Sequence, residues 1–250
     1  MSGTAFRRAS QARRNFFARR GSKPYSPQHV YRFPCHIVTR KIPVTVPAGT
    51  VDLDGMLELP ATPIGVVLFA HGSGSGRFSP RNNYVAAQLR AAGVATLLLD
   101  LLTPQEDTVQ QNRFDIALLA RRLHAAATWL GTEPLSAPLP LGLFGASTGA
   151  AAALRLAADS GSGVAAVVSR GGRPDLAGPA LAQVDAPTLL IVGGEDGMVI
   201  DLNRQALAAL RCEKELAIVP GAGHLFEQEG TLEQVAALAC AWFVRHFDLV

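Results

Sequence analysis

A serine flanked by two glycines is the first feature of this sequence that could do chemistry. Residues 143–154 read LFGASTGAAAAL, so that Gly145 and Gly149 each lie two positions away from Ser147. The apolar residues before this serine are typical of a strand and the alanines after it of a helix. A sharp turn between the two brings strand and helix very close, and only small side chains fit on either side of it. The spacing predicts an exposed nucleophilic hydroxyl; the competing interpretation is a glycine-rich connection whose serine only caps the helix.

The partners that such a serine needs are a histidine to take its proton and a carboxylate to orient that histidine. Among the six histidines, His224 lies in a glycine-bounded loop between the last predicted strand and the last predicted helix. Asp196 follows the preceding strand, Asp175 is the fallback acid, and Asp100 is expected to brace loops instead. Since functional loops of parallel sheets gather at the carboxyl ends of the strands, Ser147, Asp196 and His224 are predicted to form a catalytic triad there.

Two backbone groups are candidates for stabilising the anion that forms when a serine attacks an ester carbonyl. One is the N–H of Thr148, which follows the serine and opens a helix. The other is the N–H of Ser73, in the loop HGSGSG that begins at His71 after the first predicted parallel strand. A phosphate cradle is the alternative for this loop, which lacks both the Gly-Lys-Ser/Thr ending of a P-loop and the Gly-x-Gly-x-x-Gly spacing.

The elements that must position these residues are six short apolar runs separated by helical stretches. Runs without polar alternation are typical of strands buried on both faces of a parallel sheet. Before them, residues 41–60 alternate around a Pro-Ala-Gly turn, which predicts an antiparallel hairpin. The first helix is expected to start with Ser79 as N-cap and Pro80 at its first position, and to stop at Gly93. The predicted strands are 66–70, 94–99, 139–144, 164–168, 188–192 and 216–219, and the further helices 113–130, 148–158, 201–210 and 232–247.

This order predicts one α/β domain over residues 41–250, with a mostly parallel, doubly wound sheet and an N-terminal hairpin. With 48% hydrophobic residues, the chain can bury a substantial core. No apolar run approaches the roughly 20 residues that cross a bilayer. The three cysteines lack metal-type spacing, which favours free thiols, a reducing compartment and a cytoplasmic location. No metal or cofactor is expected.

Charge is divided unevenly along the chain. Residues 1–41 hold ten of the 23 lysines and arginines and no acid. The rest of the chain therefore has 13 basic and 20 acidic residues. Residues 1–40 are therefore interpreted as a disordered basic extension. A transit peptide for an organelle is an alternative, because such segments are rich in arginine and serine. Binding of nucleic acid or anionic lipid is the weaker alternative, and none is expected for the domain itself.

From about residue 41 to its end, the chain resembles the α/β-hydrolase superfamily. The segments HGSGSGRFSPRN, GASTG, GGEDGMV and GAGH fall where the superfamily has its oxyanion loop, nucleophile elbow, acid loop and histidine loop. The order Ser147, Asp196, His224 is the one that the resemblance implies. The compact outline without a lid is similar to the dienelactone hydrolase family. That family is known for a cysteine nucleophile, so Ser147 puts the lactone substrate in doubt and leaves a serine esterase.

Only 19 residues separate the strand ending at Val168 from the one starting at Thr188, which is too few for a large cap. The site is therefore expected to be open. Arg170, with Arg77 or Arg81, is a candidate for attracting an anionic substrate group. The alternative is that these arginines pair with acids of the protein.

The function hypothesis from the sequence is a serine hydrolase that acts through an acyl-enzyme on a small ester or thioester. The hypothesis from another class is a non-catalytic binding module of the same fold, whose basic tail contacts nucleic acid or an anionic membrane. A complete triad argues against the second hypothesis, because a binding module has no use for all three groups. The oligomeric state is not indicated by the sequence.

Overall fold

The computed structural model describes residues 39–248. The predicted disordered extension therefore lies outside the described residues, except for Thr39 and Arg40, of which Arg40 begins the first strand. Among the described residues, no helix is both long and apolar enough to cross a membrane. Cys212 and Cys240 are free thiols, as the sequence predicts.

Within residues 39–248, eight strands form one mixed sheet, in the order β1-β2-β4-β3-β5-β6-β7-β8. The pairs β1–β2 and β2–β4 are antiparallel, and every other neighbouring pair is parallel. The crossover between β3, β4 and β5 places β3 and β5 side by side, so the loops after these two strands share one edge. The strands are β1 (Arg40–Ala48), β2 (Val51–Leu59), β3 (Gly65–Ala70), β4 (Val94–Leu99), β5 (Leu141–Ala146), β6 (Val164–Arg170), β7 (Thr188–Gly193) and β8 (Lys214–Val219).

The N-terminal hairpin is tighter than its sequence suggests. Ala48 pairs with Val51, so the turn consists of Gly49 and Thr50 and not of the Pro-Ala-Gly segment. Gly49 has a φ of +76°, which a glycine adopts without a steric penalty and which suits a two-residue hairpin. Pro47 is thereby part of β1, where it is tolerated because β1 is an edge strand.

The helices largely follow the predicted pattern. Ser79 caps the first helix, its Oγ accepting a hydrogen bond from the N–H of Asn82 at 3.4 Å, and Pro80 occupies the first position. Asp115 starts the third helix by accepting from the N–H of Leu118 at 2.9 Å, so this helix begins three residues later than predicted. The helices are α1 (Pro80–Ala91), α2 (Pro104–Asp107), α3 (Ile116–Leu130), α4 (Thr148–Ala157), α5 (Gly197–Ala209) and α6 (Thr231–Phe247).

Two parts of the helical structure differ from the expectation. Helix α5 starts at Gly197, four residues before the predicted boundary, because the turn after Asp196 leads directly into the helix. The short helix α2 and the 3₁₀ segment Pro174–Gln183 lie where the sequence predicts loops. The 3₁₀ segment Gln110–Phe114 overlaps the start of the helix predicted over residues 113–130. The segment between β6 and β7 contains only the second of these, so the domain has no large cap.

The core consists of two apolar layers, one on each face of the sheet. Helices α3, α4 and α5 cover one face, where four consecutive alanines of α4, residues 150–153, are fully buried. Helices α1 and α6 cover the other face. There Phe243 and Phe247 of α6 lie directly over Gly142 and Gly65 of the central strands, and a Cβ at Gly65 would overlap the ring of Phe247. These two glycines therefore let α6 pack closely on the sheet.

Substitution of Gly142 by alanine is expected to destabilise this packing. A Cβ at this position would lie 2.6 Å from the Phe243 ring, and neither phenylalanine can move, because both are buried. The free energy of unfolding should fall by about 1–3 kcal/mol, measured by urea denaturation. The control is Gly197→Ala, since a Cβ there meets nothing within 4 Å. Equal stability of Gly142→Ala and the wild type would contradict this account of the α6 interface.

Candidate active site

Ser147 lies between β5 and α4 in a strained backbone conformation. Its φ of 49° and ψ of −121° are outside the ordinary regions for a residue with a side chain. A Cβ at Gly145 would overlap the backbone of Ala150, and one at Gly149 would overlap the carbonyl oxygen of Ala70. Both flanking glycines are thus required by close approach of β5, α4 and β3. The side chain of Ser147 does not cap α4, so the structure gives no support to the interpretation as a mere helix cap.

Backbone hydrogen bonds from the neighbouring strand and loop hold this turn. The N–H of Ser147 donates to the carbonyl oxygen of Arg170 at 3.3 Å. The carbonyl oxygen of Ser147 accepts from the N–H of Arg173 at 3.0 Å and from that of Ala150 at 3.1 Å. Such a conformation costs on the order of 1–3 kcal/mol and persists only where surrounding contacts compensate it. The end of β6 and the residues just after it therefore support the turn at Ser147.

The structure places the side chains of His224 and Asp196 next to each other. The imidazole Nδ1 of His224 lies 2.6 Å from Oδ2 of Asp196. Their loops are also joined through the backbone, since the N–H of Glu195 donates to the carbonyl oxygen of Ala222 at 2.9 Å. The Asp196 side chain is 17% exposed and that of His224 is 39% exposed, so the ring remains accessible from outside. A carboxylate in this position fixes the Nδ1–H tautomer and leaves Nε2 as the basic nitrogen.

Gly171 connects the histidine loop to the serine turn. Gly171 follows Arg170, whose carbonyl oxygen accepts a hydrogen bond from the N–H of Ser147. A Cβ built on Gly171 would lie 3.0 Å from the carbonyl oxygen of His224 and 3.7 Å from Cε1 of the His224 ring. The histidine thus lies beside the residue that supports the serine. Within residues 39–248, no hydrogen bond joins the Ser147 hydroxyl to His224 or to another group. Catalytic hydrogen bonds are often long before substrate binds.

The loop at residues 71–76 lies directly against the serine turn. A Cβ at Gly72 would be 3.0 Å from Cβ of Ser147, so this glycine permits the approach. The N–H of Ser73 donates to the side-chain oxygen Oγ1 of Thr148 at 3.1 Å. The N–H of Thr148 is at the first position of α4, where an amide has no carbonyl group of the helix to donate to. The two predicted oxyanion donors are therefore adjacent, and one of them is engaged by the threonine hydroxyl.

His71 positions this loop, a role that the sequence did not indicate. Its Nδ1 lies 2.9 Å from the carbonyl oxygen of Gly72, and its Nε2 lies 2.9 Å from the N–H of Leu101. A carbonyl can only accept and an N–H only donate, so His71 is neutral with the proton on Nδ1. The peptide between Gly72 and Ser73 is consequently held at both ends, by His71 and by Thr148. Burial lowers the pKa of His71 below its usual value, against an opposing effect of that Gly72 hydrogen bond.

The other acids that the sequence offered are paired with arginines. Asp175 binds Arg173 through two hydrogen bonds of 2.8 Å each, which removes it as partner of the histidine. Asp100 accepts from both the backbone and the side chain of Arg77, so it braces the loop at its far end. Among the described residues, no group of three or more His, Cys, Asp and Glu side chains could hold a metal ion.

The three arginines considered for substrate binding have different surroundings. Arg77 forms ion pairs with Asp100 and, at 3.2 Å, with Asp54, so it is neutralised by the protein. Arg81 lies 3.3 Å from the exposed Glu227. Arg170 is buried and donates through Nη2 to Oδ1 of Asn82 at 3.2 Å. Arg77, which is neutralised by two acids, therefore differs from Arg81 and Arg170.

The neutral state of His71 predicts a pH dependence of stability. Because its pKa is lower in the folded than in the unfolded protein, the unfolded state binds more protons once the pH falls below about 6.5. The contribution of His71 is present above that pH and is lost as the pH falls towards its lowered folded pKa. His71→Gln should therefore lose less unfolding free energy than the wild type between pH 7.5 and pH 5.0.

Urea denaturation at both pH values would measure this difference. His124→Gln is the matched control, because the His124 side chain is 58% exposed. The control is expected to follow the wild type. An identical decline in His71→Gln and the wild type would show that His71 is not held neutral.

Comparison with known proteins identifies the family and the fold. The family model for the dienelactone hydrolase family matches residues 53–249. A dienelactone hydrolase from Anabaena variabilis is 53% identical, with a TM-score of 0.81 over 83% of this chain and 98% of that one. An alpha-beta serine hydrolase homologue from Coxiella burnetii shares the fold at 19% identity, with a TM-score of 0.67 over 80% of this chain and 96% of that one.

Curated relatives from two strains of Mycobacterium tuberculosis are 60% identical over 203 residues, and each carries the name putative phosphoribosyl transferase. The match covers 81% of this chain and 46% of those proteins, so the chain spans about half the length of the curated relatives it matches. Since the family model matches most of the chain and the sheet order agrees with that fold, the chain belongs to the dienelactone hydrolase family and has the α/β-hydrolase fold.

Proposed function

We propose that this protein is a serine hydrolase that cleaves a small ester or thioester through an acyl-enzyme. Membership of the family supports a hydrolase in general. The proposal adds that the cleaved bond is an ester or thioester and that Ser147 is the nucleophile. The observation that carries it is the 2.6 Å pair of His224 and Asp196 beside a strained serine turn whose hydroxyl has no other partner among the described residues. A strained turn of this kind is expected where function requires it.

In the first half of the reaction, Ser147 Oγ attacks the carbonyl carbon of the substrate while His224 Nε2 takes the hydroxyl proton. Asp196 stabilises the resulting imidazolium through its bond to Nδ1. The carbonyl π electrons move to the oxygen, which becomes an oxyanion. When the carbonyl re-forms, the bond to the alcohol or thiol breaks, and His224 returns its proton to that leaving group.

In the second half, water attacks the acyl-serine, with His224 again as base. The tetrahedral intermediate collapses, the bond between the acyl carbon and Ser147 Oγ breaks, and the serine regains its proton. The products are a carboxylic acid and the enzyme in its starting state. Both halves pass through an oxyanion, so the same donors serve twice.

The N–H groups of Thr148 and Ser73 are the proposed oxyanion donors. Since the Ser73 N–H donates to Thr148 Oγ1, this hydroxyl holds the amide in the orientation that it needs before substrate arrives. When the oxyanion forms, the N–H is shared between the two acceptors, and the charged one accepts the stronger hydrogen bond while the hydroxyl keeps the amide oriented. Helix α4, which begins at Thr148, adds a favourable dipole at the same place.

An open site fits a small substrate. The connection between β6 and β7 contains one 3₁₀ segment and no cap that would enclose a long chain. Serine in place of the cysteine known from the family argues for esters in general and against carrying over the lactone. Esters and thioesters share the acyl-enzyme chemistry, so the proposal includes both.

A second candidate function comes from the name of the curated relatives. Phosphoribosyl transfer is attributed to proteins of which this chain matches 46%, so it is proposed here only as a property of such a longer protein. That reaction needs no serine nucleophile.

Loss of the nucleophile or its supporting acid should abolish turnover of p-nitrophenyl acetate. Ser147→Ala is expected to lower kcat by at least about a thousandfold. Asp196→Asn should lower it by about a hundred- to ten-thousandfold with little change in KM, because the histidine tautomer is no longer fixed. Stopped-flow or steady-state release of p-nitrophenol measures both effects.

Ser160→Ala is the matched control, because Ser160 is an exposed serine outside the site. Circular dichroism should show the same fold in all three variants. Full activity of Ser147→Ala would refute the proposed mechanism.

The threonine hydroxyl offers a separate test of the oxyanion loop. Thr148→Ser keeps an acceptor for the Ser73 N–H, whereas Thr148→Val removes it at nearly constant volume. A neutral hydrogen bond is worth about 1 kcal/mol, so kcat should fall about fivefold or more in the valine variant and stay near wild type in the serine variant. Ester kinetics under saturating substrate measure this split, and equal kcat values for both variants would contradict the role of Thr148.

A further inference from the structure

Asn203 is a fully buried polar residue in the middle of helix α5. Asparagine is a weak helix former, and a buried polar group costs free energy unless it is hydrogen-bonded. An apolar side chain would suit this position better if its only task were to fill the core. The polar side chain of Asn203 is therefore expected to have a specific partner.

The amide nitrogen of Asn203 binds two backbone carbonyl groups. Nδ2 donates to the carbonyl oxygen of Val199 at 2.8 Å, one turn earlier in α5, and to that of Gly172 at 3.0 Å, just after β6. The amide oxygen Oδ1 is buried and has no hydrogen-bond partner among the described residues. The reverse orientation would place an oxygen against two carbonyl oxygens, so the amide has to donate here. The hydrogen bond to Gly172 is thus kept although Oδ1 is left without a partner.

The carbonyl group of Gly172 belongs to the peptide group that holds the serine turn. The N–H of this same peptide group is that of Arg173, and it donates to the carbonyl oxygen of Ser147 at 3.0 Å. Because a peptide group is planar, a hydrogen bond at its oxygen restricts the direction of its N–H. Consecutive hydrogen bonds also polarise and strengthen one another. Asn203 is therefore connected to Ser147 through a single peptide group.

Gly172 has no side chain that could anchor this peptide group. A Cβ at residue 172 would overlap the hydroxyl oxygen of Ser169 and would lie 2.6 Å from Cβ of Ala150, in the first turn of α4. The close approach to α4 thus requires glycine, and the orientation of the peptide group has to come from hydrogen bonds. Within residues 39–248, Asn203 provides the side chain that binds the Gly172 carbonyl.

We propose that Asn203 is a positioning residue, which keeps the turn at Ser147 in the conformation needed for attack by orienting the peptide group between Gly172 and Arg173. The inference rests on the proposed serine hydrolase function and adds a residue to its machinery. A strained conformation such as that of Ser147 persists only where surrounding contacts hold it. Since α5 begins directly after Asp196, the helix that follows the proposed acid also holds the proposed nucleophile.

Two variants remove the donor. Asn203→Asp keeps the shape of the side chain but replaces the NH₂ group by an acceptor, and Asn203→Leu serves if the aspartate variant does not fold. Each should lower kcat for p-nitrophenyl acetate about tenfold or more, with KM within about threefold, because both halves of the reaction take place at Ser147. The rate of Ser147 labelling by a fluorophosphonate should fall by a similar factor. Unchanged kcat and labelling rate in folded Asn203→Leu would overturn the inference.

Val46→Ala is the control for a loss of stability. Val46 is fully buried in the edge strand β1, and three strands separate β1 from β5 in the sheet. Its truncation leaves a cavity and destabilises the domain without a change near the serine turn. This variant should keep the kcat of the wild type at 25 °C. A loss of kcat in Val46→Ala equal to that in Asn203→Leu would show that stability alone accounts for the effect, which would overturn the inference.

The pH profile of kcat/KM separates the serine turn from the pair of His224 and Asp196. Its midpoint reports the titration of the base in the free enzyme, and Asn203→Leu leaves the 2.6 Å contact of that pair in place. The midpoint in Asn203→Leu should therefore equal that of the wild type although kcat is lower. A fall in kcat together with a shifted midpoint would place the effect at Asp196 and overturn the inference.

Hydrogen exchange followed by NMR gives a readout that does not depend on turnover. In Asn203→Leu, the N–H of Arg173 should exchange at least about tenfold faster than in the wild type. The N–H of Val167, which donates to the carbonyl oxygen of Pro187 at 2.8 Å, is the internal reference and should change less. Equal exchange of the Arg173 N–H in both proteins would overturn the inference. The expected change in a protein that cleaves no ester would overturn the esterase function alone.

Discussion

The sharp backbone turn at Ser147 is the constraint on which the rest of the site depends. A non-glycine residue with φ of 49° is unfavourable by itself, and it is kept in place by contacts from three directions. The carbonyl oxygen of Arg170 accepts a hydrogen bond from its N–H, and the N–H of Arg173 donates one to its carbonyl oxygen. Two flanking glycines let β5, α4 and β3 approach each other. The same turn leads directly into α4, whose first residue is Thr148.

The backbone N–H groups that we propose as oxyanion donors lie in a loop whose orientation is fixed by side chains. The peptide between Gly72 and Ser73 is bound by the neutral His71 on one side and by Thr148 on the other. Helix α1 begins immediately after this loop, and its first turn supplies Asn82 to Arg170, whose backbone supports Ser147. The oxyanion loop, the serine turn and the histidine loop are therefore linked through β6, so a change in one of them is expected to affect the others.

Much of this arrangement could be predicted from the sequence, because the pattern of apolar residues and the residues that begin a helix are local signals. Continuous apolar runs identify buried strands, and Ser79 with Pro80 identifies the start of α1. The order of strands then brings Asp196 and His224 to one edge. What could not be predicted are contacts between segments that are distant in the chain. The hydrogen bond from Ser73 to Thr148 joins residues that are 75 positions apart. Likewise, the sequence around Arg77 and Arg170 does not indicate that Arg77 is neutralised by acids whereas Arg170 has no acidic partner among the described residues.

If Ser147 is an activated nucleophile, a serine-directed reagent should capture it covalently. The folded protein is treated with a fluorophosphonate, which reacts with serine hydroxyls activated by a histidine, and the modified residue is located by peptide mass spectrometry. The account predicts one adduct per chain, on Ser147, with much slower labelling when Asp196 is replaced by asparagine. A folded protein that stays unmodified, or that carries the adduct on another residue, would contradict it.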